Sequence, residues 1–417
     1  MCIFCKQFRQ LLNPSVRTRE FMVNYQSANY SGIGVRIDTL TEEEHMCNKE
    51  RNRNKIENNK ANNSEEKLKE EIEKIRPADE KSKEAARQRW KMVAKPLFSL
   101  GKLEDAVIKM AGIKRSAEYT LEKKGLVIMC ADNGVVAEGV TQTGQEVTAI
   151  VADNFTKCAT SVCIMAETAG VDLFPVDIGM TTDVPSVTRK EEKIAYGTKN
   201  MLKEPAMTRE EVCRAILTGI RKVEELAEDG YDLLATGEMG IGNTTTSSAV
   251  ASVLLGKEPE EMTGRGAGLS SEGLRRKIDV ICRAIDRHQP DREDVPDVLA
   301  KVGGLDLAGL TGVFLGGAMY HIPVLIDGFI SSVAALCAVR ICPECIDYML
   351  ASHCSGEPAG HMILEELGLP FLIDGNMSLG EGSGAVAAVP LLEMGLNVYR
   401  KMSTFDEIHV EQYEELR

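Results

Sequence analysis

The sequence predicts a doubly wound α/β protein, a parallel sheet covered on both faces by helices, with a small helical domain formed from both chain ends. Six short runs, GLVIMCAD (125–132), VDLFPVDIG (171–179), YDLLATGE (231–238), IPVLIDG (322–328), IDYMLAS (346–352) and LPFLIDG (369–375), are apolar throughout instead of alternating. Strands buried on both faces read this way. Glycine or polar loops and helix-forming stretches separate them, which is the rhythm of strand–helix–strand units. Helix-forming sequence at each end predicts the small domain.

Taken in order, residues 1–65 read as an extension outside the working fold. Residues 43–66 (EEEHMCNKERNRNKIENNKANNSE) are almost wholly polar and bury too little apolar surface to offset the cost of ordering, so a disordered linker is expected there. Folding signals begin only after Glu66, which makes Met46 a candidate start. Residues 66–120 open with KLKEEIEKIRP, a helix that should stop at Pro77, and continue with SKEAARQRWKMVA, which offers Trp90, Met92 and Val93 to one face. Residues 121–390 carry the six runs and form the α/β domain. Residues 391–417, with PLLEMGLNVYRKMSTFDEI as the helical sequence around their start, are expected to return to the first helices.

Composition narrows the partners. The chain has 417 residues, 43% of them apolar, and 63 acidic against 49 basic side chains give a net charge of −14. Nucleic acid and anionic membranes demand excess Lys and Arg, so small molecules are the expected ligands. A phosphate must then be held locally, by backbone N–H groups and a few placed cations. The 12 cysteines are scattered through apolar contexts such as Cys130, Cys163 and Cys337, which suits reduced thiols in a cytoplasmic protein better than a disulfide framework. No apolar run reaches the ~18 residues that span a bilayer, and Lys6 and Arg9 interrupt the start, so no signal-peptide core is seen. Cys342-Pro343-Glu344-Cys345 and Cys2-Ile3-Phe4-Cys5 each lack a second pair at short spacing, so buried thiols are expected there and no metal.

Polar residues fall where the sheet should end. Asp132, Asp177, Glu238, Asp327, His353 and Asp374 each close a predicted strand, on the edge where open α/β sheets hold ligands. After the third strand, Gly237-Glu238-Met239-Gly240-Ile241-Gly242-Asn243-Thr244-Thr245 leads into a helix. Its glycines admit a close ligand, and its polar residues cap a helix with free N–H groups. The Gly-Lys-Ser/Thr ending of a triphosphate loop is missing, which points to a monophosphate. Thr263-Gly264-Arg265-Gly266-Ala267-Gly268 and the helix behind it add Arg265 and Lys277 as candidate cations. In Leu379-Gly380-Glu381-Gly382-Ser383-Gly384, glycines flank a carboxylate suited to general-base work.

These blocks in this order resemble the nicotinate-nucleotide–dimethylbenzimidazole phosphoribosyltransferases. The resemblance runs over about residues 66–410 and rests on KPLFSLGKLE (95–104), ADNGVVAEGVTQTGQEVT (131–148), VDIG (176–179), GEMGIGNTT (237–245), GRGAGLSSEGLRRK (264–277), VGGLDLAGL (302–310), IPVLIDGFI (322–330), ASHCSGEP (351–358) and LGEGSGA (379–385). It implies a Rossmann-like large domain, a homodimer, and transfer of the 5-phosphoribosyl group of nicotinate mononucleotide to a benzimidazole-type base without cofactor or metal. It places the catalytic glutamate on Glu381. Phosphate and ribose contacts fall on Gly237, Glu238, Met239, Gly240, Ile241, Gly242, Asn243, Thr244 and Lys277, and base contacts on Thr141, Gln145 and Leu379. Asn133 stands where the family has histidine, and the 140–145 stretch departs from its usual residues, leaving benzimidazoles, adenine and phenols open as acceptors. A dehydrogenase would instead show Gly-x-Gly-x-x-Gly after the first strand, where Ala131-Asp132-Asn133-Gly134 stands. A non-catalytic nucleotide sensor would not need Glu381.

Overall fold

In the computed structural model, which describes residues 64–415, the chain opens with helices α1 (64–72), α2 (Glu80–Met92) and α3 (Lys102–Lys114) before strand β1 (Lys124–Ala131). Helices α4 (Glu146–Thr156) and α5 (Ser161–Ala169) lead to β2 (Asp172–Gly179), and α6 (Arg209–Glu228) leads to β3 (Leu233–Met239). The longest crossover holds α7 (Asn243–Leu255), the single turn α8 (Pro259–Met262), α9 (Ser271–His288), α10 (Val295–Val302) and α11 (Leu305–Met319). Then follow β4 (Val324–Ile326), α12 (Phe329–Ile341), β5 (Met349–His353), α13 (Pro358–Glu366), β6 (Phe371–Ile373) and α14 (Ser383–Lys401).

All six apolar runs become strands, paired in parallel in the order β2-β1-β3-β4-β5-β6. The order reverses beside β1: its neighbours are β2 on one side and β3 on the other, so loops leave the two strands in opposite directions and open a crevice at their C-terminal ends. β2 is an edge strand, which explains how it accommodates Pro175, a residue with no N–H for a second ladder.

Two helices cover the sheet from opposite sides. α11 lies on β1, β2 and β3 with α6 against it, and α14 lies on β3, β5 and β6 with α5 against it. Met129 of β1 packs at Gly309 of α11, while Leu126 packs at Gly382, at the head of α14. Three residues apart on one strand, these side chains point to opposite faces. α11 is buried along its whole length, as its sequence without an amphipathic stripe requires.

Sequence and structure differ at the ends. α1 stops at residue 72 rather than at Pro77, and the C-terminal helix ends at Lys401. Residues 402–408 turn back instead, and Thr404 forms an antiparallel bridge with Val93. Trp90 of α2 meets Tyr399 of α14 edge to face at 5.1 Å, and Lys95 and Glu104 form a buried ion pair beneath them at 2.5 Å. The expected extension 1–65, its linker and Cys2–Cys5 lie outside the described residues, apart from residues 64 and 65 at the start of α1. Cys342 and Cys345 are both buried, in and just before a 3-10 turn over Pro343–Tyr348. No helix among the described residues is long and apolar enough to cross a membrane.

Candidate active site

At the C-terminal edge of β3, β4 and β5, beside the crevice, lies a cavity of about 310 Å³. Its walls come from six places: the loop after β3, the head of α12, the loop before α14, Val147 and Val151 of α4, Gly266 and Ala267 before α9, and His353, Ser355 and Glu357 at and after the end of β5.

The loop after β3 is shaped by its glycines. Gly242 takes φ +95° as the N-cap of α7, so the helix begins at Asn243; the Asn243 N–H is held by the Gly240 carbonyl and the Ile241 N–H by the Thr148 hydroxyl, both at 3.1 Å. Glu238 and Met239 finish the strand, and Met239, Gly240, Ile241, Asn243 and Thr244 line the wall with Glu238. Gly237 lies one step inside the strand, against the backbone of the Glu381 loop. Lys277, fully buried on α9, donates to the Thr244 hydroxyl at 2.8 Å and to the Gly264 carbonyl at 3.2 Å. Burial pushes its ammonium down to about 8, only partly offset by the Glu357 carboxylate. Arg265 turns elsewhere. Its guanidinium bonds the Leu269 carbonyl and the Ser271 hydroxyl, so it braces its own loop and does not line the cavity.

Across the cavity, Gly380, Glu381 and Gly382 all have positive φ, +83°, +61° and +91°. For a glutamate this left-handed backbone is strained, by about 1–3 kcal/mol. Asp327, at the end of β4, holds it in place. Its buried carboxylate accepts from the N–H groups of Gly382 (3.2 Å), Gly384 (2.7 Å) and Ala385 (3.0 Å), and so caps α14. Glu381 itself is half-buried, and its Oε2 has no partner. Burial raises its carboxyl above the ordinary range, the Val162 N–H lowers it, and the Asp327 charge raises it further.

Of the other strand-end residues, His353 lines the cavity with its Nδ1 near the Ser352 hydroxyl at 3.3 Å. Asp132 receives the Thr181 N–H and hydroxyl, both at 2.8 Å, outside the cavity. Asp177 pairs with Lys193 at 3.0 Å, and Asp374 is exposed. The base-side residues separate. Leu379 lines the mouth and is exposed. Thr141 bonds the Thr143 carbonyl at 2.8 Å and Gln145 bonds the Asn133 carbonyl at 3.1 Å, and neither lines the cavity. Val147 and Val151 of α4 do, and their spacing of four on a helix was the available signal.

A doubly wound sheet whose crevice sets a glycine-rich helix head against a carboxylate with an unpartnered oxygen has the build of an α/β enzyme. A phosphoribosyltransferase family model matches residues 75–410. The nicotinate-nucleotide–dimethylbenzimidazole phosphoribosyltransferase of Ruminiclostridium cellulolyticum is 47% identical over 345 residues, covering 83% of this chain and 98% of its own. That of Acetivibrio thermocellus is 47% identical over 327 residues, covering 78% and 93%. The crystal structure of CobT from Thermus thermophilus superposes with a TM-score of 0.76 at 37% identity, covering 80% of this chain and all of that one. The chain belongs to the nicotinate-nucleotide–dimethylbenzimidazole phosphoribosyltransferase family.

Proposed function

We propose that the protein transfers the 5-phosphoribosyl group of nicotinate mononucleotide to 5,6-dimethylbenzimidazole or a related base, releasing nicotinate and forming α-ribazole 5′-phosphate for cobalamin synthesis. The observation that carries this reading is the Glu381 carboxylate, its Oε2 unpartnered, set across one cavity from the head of α7.

The 5′-phosphate sits in the cradle of Gly240, Ile241, Asn243 and Thr244, at the positive end of the α7 dipole, with Lys277 behind Thr244 as the nearby cation. That anchorage fixes the ribose between the two walls. Val147, Val151 and Leu379 give the acceptor base an apolar face, and the 141–145 turn braces α4 behind them. The glycosidic pyridinium departs as a ring that has regained its electron pair, and the base attacks C1′ from the opposite side, so the β-linked donor gives the α-anomer. As one imidazole nitrogen alkylates, the other loses its proton to Glu381. Glu238 lies where positive charge develops on the sugar.

The same proposal includes a homodimer in the cytoplasm, and a small domain of residues 66–120 and 391–417 beside an α/β domain of 121–390. Exposed Ile150 and Ile164, on the two helices beside the cavity, support the dimer, the unpaired thiols support the location, and the Trp90–Tyr399 contact supports the small domain.

Purified protein with nicotinate mononucleotide and 5,6-dimethylbenzimidazole should yield one α-ribosyl phosphate by chromatography and mass. Glu381→Gln should lose turnover by about 10²–10⁴-fold while still binding the mononucleotide. No product with any benzimidazole, purine or phenol would reject the reaction.

A further inference from the structure

Behind the phosphate loop, beside Glu238, lies an acid that the mechanism above leaves idle. Asp306, in the first turn of α11, is fully buried. Its Oδ1 accepts from the Leu307 N–H at 3.0 Å, and its Oδ2 has no partner. The Asn243 amide donates to Glu238 Oε2 and also favours the ionised form of Asp306. One amide therefore serves two buried carboxyls. Nothing separates them from the loop, since a methyl group on Gly240 would come within 2.8 Å of Asp306 Oδ2.

The other titratable groups acting on this pair are Cys130 and Asp132 from β1, Asp327 from β4, and the Glu381 loop, whose N–H bonds Glu238. His353 lies beyond Asp327, and Lys277 lies on the far side of Thr244. Among the described residues no cation pairs with Glu238 or Asp306. Two neighbouring carboxyls without a counter-charge do not both ionise in a dry site. Burial accordingly raises Asp306 to about 6, and burial together with the Asp306 charge raises Glu238 well above the ordinary carboxylate range.

We propose that Asp306 is a positioning residue which, by its buried charge beside Glu238, keeps Glu238 a neutral acid in the free protein against the pull of the Asn243 amide, and that the cationic ring of the donor drives the Glu238 proton to solvent on binding. The inference rests on the reaction proposed above. N-glycosylation leaves the pyridine ring of the donor positively charged, and this charge supplies the missing counter-ion beside Glu238. The carboxylate so formed then faces the positive charge that grows at C1′. The free protein avoids an unpaired buried anion, and the anion appears only when the substrate is present to use it.

The test is calorimetric titration of the full-length protein with nicotinate mononucleotide at pH 7, in two buffers of unlike ionisation enthalpy. Ribose 5-phosphate, which carries the phosphate without the ring cation, corrects for protons exchanged by the phosphate and Lys277. The expected result is about one proton released per mononucleotide beyond that control. Glu238→Gln should abolish the release. Asp306→Asn, which keeps an oxygen for the Leu307 N–H, should at least halve it and move the corresponding limb of the kcat/KM pH profile toward acid by about one unit. Mononucleotide binding without extra proton release in the unaltered protein overturns the proposal, and so does release that persists in Glu238→Gln or is unchanged in Asp306→Asn. Failure of the mononucleotide to bind at all would instead reject the reaction itself.

Discussion

At the scale of single residues, the site depends on a strained glutamate and the aspartate that holds it. Glu381 sits in left-handed backbone because three N–H groups just after it are fastened to Asp327. Asp327→Asn keeps an oxygen for Gly384 and Ala385 but turns an amide toward the Gly382 N–H. The turn should loosen, with kcat falling about 10-fold or more and KM for the mononucleotide changing little. The pH profile tests this further. Glu381 works ionised, so rate is lost as pH falls through its raised pKa, and removing the Asp327 charge should move that acid limb to lower pH. A profile that does not move would mean that Asp327 carries no charge near Glu381. Glu381 and Glu238 were legible in the sequence because glycines flank them. Asp327 was legible as a strand-end acid, but not as a cap, since its partners lie 55–58 residues away. Asp177 and Asp374 carry the same local signal, and only their places on the sheet set them apart.

At the scale of elements, two walls of the cavity are joined backbone to backbone. A methyl group on Gly237 of β3 would come within 2.6 Å of the Glu381 carbonyl oxygen and 3.0 Å of the Gly382 nitrogen. Gly237→Ala should push Glu381 away by a fraction of an ångström or more, and lower kcat by about 100-fold. The phosphate cradle is untouched, so KM for the mononucleotide should stay within about 2-fold; a large rise in KM with kcat intact would contradict this division of labour. The six strands were legible because each is an unbroken apolar run. Their lengths were not, because β4 and β6 keep only three paired residues each and their flanking apolar residues serve loops and packing instead. The close approach at Gly237 was also hidden, because one glycine in a strand does not say what approaches it.

At the scale of the molecule, α2 meets the C-terminal half of α14 far from the chemistry. Tyr399, which receives Trp90, lies 16 residues from the head of α14, or about 24 Å along the helix. Trp90→Ala should cost about 3–5 kcal/mol of stability, read from denaturant unfolding, while leaving the KM values of surviving folded protein unchanged. A change in KM at permissive temperature would show that the ends reach the site. Fold class was legible from the unbroken apolar runs. The strand order was not, because parallel runs of similar composition do not state their neighbours.

The contact between Gly237 and the Glu381 loop bears on how such an enzyme changes its acceptor over generations. On the reaction proposed above, the place of the Glu381 backbone relative to β3 is set by main chain at Gly237 and by the Asp327 side chain, so few substitutions elsewhere reach it. The apolar cavity wall proposed for the acceptor comes from Val147 and Val151 on α4 and from the exposed Leu379, which belong to other segments. On that proposal, substitutions at Val147, Val151 or Leu379 would alter the choice of aromatic base while leaving the Gly237–Glu381 backbone contact intact.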